Sequence, residues 1–170
     1  MDRLIARTCR GLEFLIVASL ALMVVMVFGN VVLRYAFNSG ITASEELSRW
    51  LFVWMTFLGA VVAIRERGHL GTDTLISRLS RKGRLVCYGV GHVLMFCICA
   101  LVFKGAWEQT RINWTTTSAV TEWSMAIFYA SGLVFAVLGG VILAFNLWRL
   151  INGQVADHEL TGIRESEETK

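Results

Sequence analysis

Three charged side chains, two carboxylates and one guanidinium, stand at the start of a long apolar stretch, where they could pair with one another or with a partner. Glu45, Glu46 and Arg49 stand directly before the apolar run of 15 residues from Trp50 to Ile64. Because that run is short for a lone membrane span, we expect these charges to lie at an interface or to be shielded by protein. The alternative is that the charges merely flank a membrane and that Glu45 and Arg49 form a weak exposed pair.

The same cluster extends to neighbouring polar and aromatic residues. Trp50 and Trp54 follow the charges, while Asn30 and Arg34 end the preceding apolar run. Asn30 is interpreted either as a buried hydrogen-bonding residue between helices or as an interfacial residue near a helix end. The predicted interface with a partner or with lipid therefore comprises Glu45, Glu46, Arg49, Trp50, Trp54, Asn30 and Arg34.

Other reactive side chains are sparse. His92 stands inside an apolar run, and a membrane haem normally takes two axial side chains, for which His69 at the end of its run is a poor second ligand. We favour a packed, hydrogen-bonded His92, and a haem- or quinone-binding anchor of a redox complex is the alternative. No cysteine pair has zinc-site or redox spacing, and no catalytic set or phosphate loop is recognisable, so the sequence predicts no enzyme, metal or cofactor.

The composition indicates that membrane helices must position these residues. The chain has 170 residues, of which 55% are hydrophobic and 17% charged, and it lacks proline. Its net charge is only +3, and no basic run with interleaved aromatic residues stands outside the apolar segments. This pattern predicts an integral membrane protein and argues against nucleic-acid binding.

Four apolar runs predict an all-α integral membrane protein with four transmembrane helices. In the second run Thr42 and Glu45 have the spacing of a capping box, and Gly68 is a plausible stop. The predicted membrane domain covers residues 1–151, and its spans are about 12–34, 43–67, 84–104 and 123–148.

Two further segments flank this bundle. Leu75, Ile76 and Leu79 cluster on one helical side, which predicts a short amphipathic interfacial helix between the second and third spans. A plain solvated loop is the alternative. Residues 152–170 are polar and are expected to form a mobile cytoplasmic tail.

Small residues recur on two of the predicted helices. Such residues let helix backbones approach closely in lipid. The predicted packing positions are Gly59, Ala60 and Ala63 in the second span and Gly132, Ala136 and Gly140 in the fourth.

Basic residues are distributed unevenly around the spans. Ten lie in the N-terminal segment, in the connection between the second and third spans, and at the end of the fourth span. Four lie at the opposite ends of the spans. The positive-inside rule then predicts that both termini and the second connection are cytoplasmic. The deep parts of the spans contain no Asp, Glu, Lys or Arg. This argues against a stand-alone pump or symporter, and likewise against a small homo-oligomeric exporter.

Residues 30–75 resemble the core of a known family, the small membrane subunit (DctQ type) of tripartite ATP-independent periplasmic (TRAP) transporters. The resemblance covers nearly the whole chain in length and span number, and Gly40 departs from the proline that many relatives carry. Its matching elements are Arg34-Tyr35, Phe37-Asn38, Glu45-Glu46-Leu47, Arg49, Phe52, Trp54, Phe57-Leu58-Gly59-Ala60 and Gly68-His69.

This resemblance implies a role in the bacterial inner membrane. The small subunit would bind a large multi-span membrane subunit (M type) that holds the substrate and sodium sites. It would also help to dock a periplasmic substrate-binding protein (P type) for sodium-coupled uptake of an organic acid. Membrane lipid is a further expected partner. The docking candidates in the outward connections are Asn38, Lys104, Glu108 and Arg111.

Overall fold

Within the residues that the structure describes, the chain folds into four long helices that follow its apolar runs. The computed structural model describes residues 2–66 and 79–152. With no proline to interrupt them, the apolar runs form α1 (Asp2–Phe37), α2 (Thr42–Glu66), α3 (Arg81–Ile112) and α4 (Ala126–Ile151). All four are long and apolar enough to cross a membrane. The described residues contain no strand beyond one isolated bridge between Thr117 and Ser124, so the predicted all-α architecture with four spans is confirmed.

The ends of three helices differ clearly from the predicted span limits. The helix α1 begins at Asp2, about ten residues before its predicted span. The helix α3 continues to Ile112, so Lys104, Glu108 and Arg111 of the predicted outward connection lie on its last turns. The helix α4 begins only at Ala126 because the preceding residues form a tight reverse turn. In that turn Ser118 N donates to the Trp123 carbonyl oxygen at 2.9 Å. The predicted interfacial helix and most of the polar tail lie outside the described residues.

The connection between α1 and α2 is a short, closed turn. α1 ends at Phe37, and Asn38 adopts a left-handed conformation with a φ of 49°. Asn tolerates this conformation better than most residues do. The Ser39 amide donates to the Leu33 carbonyl oxygen at 3.1 Å, which ties the turn back onto α1. The two helices therefore form an antiparallel hairpin.

The helices do not pack in chain order. α2 packs against both α1 and α4, and α3 packs against α4, whereas α2 and α3 are not among the closely packed pairs. The core cluster joins Leu12 of α1 with Leu58 and Val61 of α2 and Ile142 of α4. The spatial order is therefore α1, α2, α4, α3. A groove remains between α2 and α3, with α4 as its floor.

Candidate functional site

A polar network at one end of the bundle joins α1 to α2. This end carries the α1–α2 turn and the connection of residues 113–125, and we call it the loop end. Glu45 Oε1 accepts from Arg34 Nη2 at 2.6 Å and from Asn30 Nδ2 at 3.3 Å. Asn30 is buried, and its Oδ1 accepts the Ile41 amide at 2.7 Å. Asn30 thus holds the turn and the first turn of α2 together.

This network replaces two predicted local interactions of Glu45. The capping-box spacing placed the Glu45 carboxylate on backbone at the start of α2, and the alternative paired it with Arg49. In the structure the carboxylate reaches across to α1. Arg34 is a better partner because the turn brings it to the start of α2, where a 2.6 Å contact forms.

Serine hydroxyls complete the junction between α1 and α2. Ser44 Oγ donates to the Met26 carbonyl oxygen at 2.8 Å, and Ser48 Oγ donates to the Ser44 carbonyl oxygen at 2.7 Å. Both serines are buried. Sequence reasoning did not select them. The signal that could have identified them is their spacing of four residues on α2, at the level of Asn30.

Glu46 and Arg49 line an open pocket of about 500 Å³, which Glu45 also borders while its carboxylate is engaged with Asn30 and Arg34 of α1. Glu46 Oε1 accepts from Thr121 Oγ1 at 3.4 Å, a long hydrogen bond. Glu46 Oε2 is buried and has no hydrogen-bond partner among the described residues. The exposed Arg49 likewise forms no ion pair within residues 2–66 and 79–152. These two charges are therefore the members of the predicted cluster that remain available to an outside group.

The two tryptophans of the cluster point into the protein. Trp50 is buried, and its ring lies 6.4 Å from that of Trp123 and 6.3 Å from that of Phe128. Trp54 donates its indole Nε1–H to the Ile127 carbonyl oxygen at 3.1 Å. Trp54 thus holds α2 against the start of α4. Both rings make their contacts within the protein.

The predicted docking residues are exposed at the loop end. Asn38 lies in the α1–α2 turn, while Lys104, Glu108 and Arg111 lie on the last two turns of α3. No hydrogen bond or ion pair engages the Glu108 or Arg111 side chain in the part of the chain that the structure describes. The structure brings these charges to the same end as Glu46 and Arg49, on a separate helix.

Some of the predicted packing positions on α4 lie where two helices approach closely. A Cβ at Gly132 would lie 3.1 Å from Ala106 Cβ, so α3 and α4 approach closely there, and Ala136 is buried one turn further on. At the next turn the close contact falls at Gly139, where a Cβ would lie 3.2 Å from Ile64 Cδ1. A Cβ at the predicted Gly140 would meet nothing within 4 Å.

On α2, the predicted packing residues have open surroundings. A Cβ at Gly59 would meet nothing within 4 Å. Ala60 and Ala63 line a pocket of about 390 Å³ at the boundary with α3 and α4. These alanines therefore border the groove between α2 and α3 instead of a tight helix–helix contact.

His92 is a packed residue of α3. Its side chain is buried, its Nδ1 lies 2.9 Å from the Tyr88 carbonyl oxygen, and its ring lies 4.0 Å from that of Tyr88. Among the described residues no group of three or more His, Cys, Asp or Glu could hold a metal ion. The geometry therefore agrees with the packed interpretation of His92, and His69 lies outside the described residues.

Comparison with known proteins identifies similar chains over most of the length. Residues 23–153 match the family model described as tripartite ATP-independent periplasmic transporters, DctQ component. A Haemophilus influenzae protein, assigned by name to the TRAP transporter small permeases, is 36% identical over 138 residues, which cover 81% of this chain and 86% of that protein.

Two further relatives extend the comparison. The C4-dicarboxylate TRAP transporter small permease protein DctQ of Vibrio cholerae is 29% identical, with 86% of this chain and 75% of that protein covered. The isethionate TRAP transporter permease protein DctMQ of Oleidesulfovibrio alaskensis is 24% identical over 84% of this chain. The matched region makes up only 23% of that longer protein.

Proposed function

The chain belongs to the DctQ-component family of TRAP transporters, and from this premise we propose that it binds a large transport subunit and helps to dock a periplasmic substrate-binding protein. As a TRAP small permease subunit it is a multi-pass protein of the inner membrane and not an enzyme. The transport that the complex carries out is, in this proposal, sodium-coupled uptake of an organic acid.

The observation that carries the proposed large partner is the length of the DctMQ relative. In that protein a region similar to 84% of this chain is joined to a much larger remainder of one permease. We infer that this chain contacts a subunit equivalent to that remainder. Many large apolar side chains of α1, including Phe14, Val25 and Phe28, are exposed and could meet a partner or lipid.

The charge distribution supports an accessory role. The central parts of the four helices contain no Asp, Glu, Lys or Arg. Ion-coupled transporters usually place ionisable groups or broken helices near mid-membrane. We therefore assign the substrate and sodium sites to the large subunit, and a scaffold role to this chain.

The solute class is inferred from the relatives. The names of three relatives specify C4-dicarboxylates, isethionate and sialic acid. All three are organic acids. We extend that class, and no single member of it, to the transporter to which this chain contributes.

We also assign an orientation to the bundle. The excess of basic residues at the end opposite to the loop end supports a cytoplasmic position for that end and for both termini. The loop end would then face the periplasm. Asn38, Lys104, Glu108 and Arg111 would accordingly be accessible to the binding protein.

The test of the accessory role is affinity purification of the full-length chain from native membranes in a mild detergent, with partners identified by mass spectrometry. We expect a large multi-span membrane protein at one-to-one stoichiometry. Recovery of the chain alone, or with a soluble flavoprotein or iron–sulfur protein, would contradict the proposal. Arg49→Ala should reduce recovery of the complex or uptake, whereas Glu13→Ala, at an exposed site near the other end, is the control.

A further inference from the structure

One face of α2 changes from charged to apolar along its length. Glu46, Arg49, Val53, Phe57 and Ala60 recur at intervals of three or four residues and so lie on one side of the helix. Each of them lines one of three successive pockets. The face is therefore continuous, with its charges at the loop end and its apolar residues toward the middle of the bundle.

The apolar part of this face is one wall of the groove between α2 and α3. Its upper pocket, of about 400 Å³, is lined by Val53 and Phe57 of α2, by Val102 and Gly105 of α3, and by residues of α4. Its lower pocket, of about 390 Å³, begins one helical turn further along with Ala60, Cys99 and Phe135. The rings of Phe57 and Phe135, 5.7 Å apart, mark the boundary between the two pockets.

The charged part of the face adjoins this groove at Phe128. Phe128 lines both the charged pocket and the upper apolar pocket. The charged pocket contains a buried carboxylate oxygen without a partner, Glu46 Oε2, and the exposed guanidinium of Arg49. The two residues are three positions apart, so their side chains are neighbours on the helix surface.

We propose that this groove binds one phospholipid with a primary-amine headgroup. Its phosphate lies against the Arg49 guanidinium, its ammonium donates to Glu46 Oε2, and its acyl chains occupy the two apolar pockets between α2 and α3. The proposal concerns lipid only, and it does not depend on the assigned transport function.

Charge complementarity favours this occupant over an apolar helix of a partner. An uncharged helix in the groove would leave the buried Glu46 oxygen without a hydrogen-bond donor, which is costly. A guanidinium suits phosphate, and an ammonium supplies N–H donors to a carboxylate. The exposed tryptophans at this end, Trp114 and Trp123, are residues that favour the headgroup region.

The headgroup can be tested by lipid retention. The full-length chain, purified with its accompanying partners, is incorporated into nanodiscs. Their bilayer is an equal mixture of phosphatidylethanolamine, phosphatidylcholine and phosphatidylglycerol. Lipid that remains after re-extraction in mild detergent is then counted per chain by mass spectrometry. We expect about one phosphatidylethanolamine per chain, retained at least threefold over phosphatidylcholine, which has no N–H donor, and over phosphatidylglycerol, which has no ammonium.

Matched variants locate the bound lipid. Glu46→Gln and Arg49→Gln should each lower phosphatidylethanolamine retention at least threefold. Glu108→Gln and Arg111→Gln provide the control, because they change the same residue types at the same spacing and the same end, away from the groove. Equal retention in all four variants would overturn the proposal.

A second pair of variants tests the acyl-chain part without removing a charge. Gly105→Leu adds a side chain to the upper pocket at a position where a Cβ meets nothing within 4 Å, so the helix should form normally. Gly91→Leu is the control, because it is an equally open site on α3 outside the pockets. We expect lipid retention to fall with Gly105→Leu alone.

If Gly105→Leu instead releases a large membrane partner and leaves lipid retention unchanged, the groove holds a helix of that partner and the lipid proposal is wrong. That outcome would leave the accessory-subunit role intact. Conversely, purification without a large partner would refute the transport role and leave the lipid measurement valid. Because Arg49 is assigned to both contacts, these two outcomes, and not the Arg49 variants, separate the two proposals.

Discussion

Arg34 on the last turn of α1 and Glu45 on the first turn of α2 meet at 2.6 Å, so an ion pair spans the turn that joins the two helices. Their side chains are 62% and 52% exposed. Such exposed pairs contribute little to stability, at most about 1 kcal/mol. The stronger constraint at this junction is the buried amide of Asn30, which accepts from the backbone of the turn.

We predict that Asn30→Ala destabilises the protein more than Glu45→Gln does. The first change removes the acceptor of the Ile41 amide and should cost about 1–3 kcal/mol, whereas the second should cost less than about 1 kcal/mol. Thermal unfolding in a single detergent, with Glu13→Gln as a distant control, measures the difference. A larger loss for Glu45→Gln would show that the exposed ion pair, and not Asn30, holds the turn.

The contact between α3 and α4 gives a second prediction. Gly132→Leu should destabilise the bundle by about 1–3 kcal/mol, because its Cβ would lie only 3.1 Å from Ala106 Cβ. Gly140→Leu, where a Cβ has open space, should be neutral or slightly stabilising through its better helix propensity. The apparent unfolding temperatures of the two variants provide the comparison, and similar values would place the close contact elsewhere.

A third prediction concerns the indole hydrogen bond between α2 and α4. Trp54→Phe removes the donor to the Ile127 carbonyl oxygen and should cost about 1 kcal/mol or more. Trp107→Phe makes the same replacement at a side chain that is 56% exposed and should cost much less. Thermal unfolding of both variants tests this difference, which would vanish if the bond were unimportant.

The proposed docking role makes a fourth prediction. Reversing charge with Glu108→Lys or Arg111→Glu should raise the concentration of binding protein needed for half-maximal uptake about threefold or more, because exposed charges steer association. The measurement is uptake into proteoliposomes that contain the complex, with added binding protein varied. Glu13→Lys serves as the control, and an unaltered concentration dependence in both test variants would remove these residues from the docking surface.

Orientation supplies a fifth prediction. In a background with the four native cysteines replaced, Ser39→Cys in the α1–α2 turn should react with a membrane-impermeant maleimide in intact spheroplasts. Lys82→Cys at the start of α3 should react only after the membrane is permeabilised. The reverse pattern of labelling would invert the assigned topology.

The sequence was sufficient to predict the helices because membrane-spanning character is a local property of a run of residues. The partner of Glu45 could not be found in the same way. A capping box is a local spacing, whereas Arg34 lies 11 positions away and reaches Glu45 only through the geometry of the turn at Asn38.

The sequence pattern also could not show which face of each helix contacts which neighbouring helix. A four-residue repeat selected Gly140 on α4, but a helix has 3.6 residues per turn, so the contact face drifts to Gly139. Likewise, no periodicity shows that Glu45 bonds to α1 whereas Glu46, adjacent in the chain, bonds to Thr121 beside α4. That difference depends on α2 being placed between α1 and α4.

The spatial order of the helices has a consequence for biogenesis. The hairpin of α1 and α2 can close as soon as Glu66 has entered the membrane, because its contacts are complete within that segment. α3 packs mainly against α4, which is synthesised last. During co-translational insertion α3 therefore lacks its main packing partner until α4 has been synthesised. A nascent chain that stops before Ala126 would lack α4, the helix that packs against both α2 and α3.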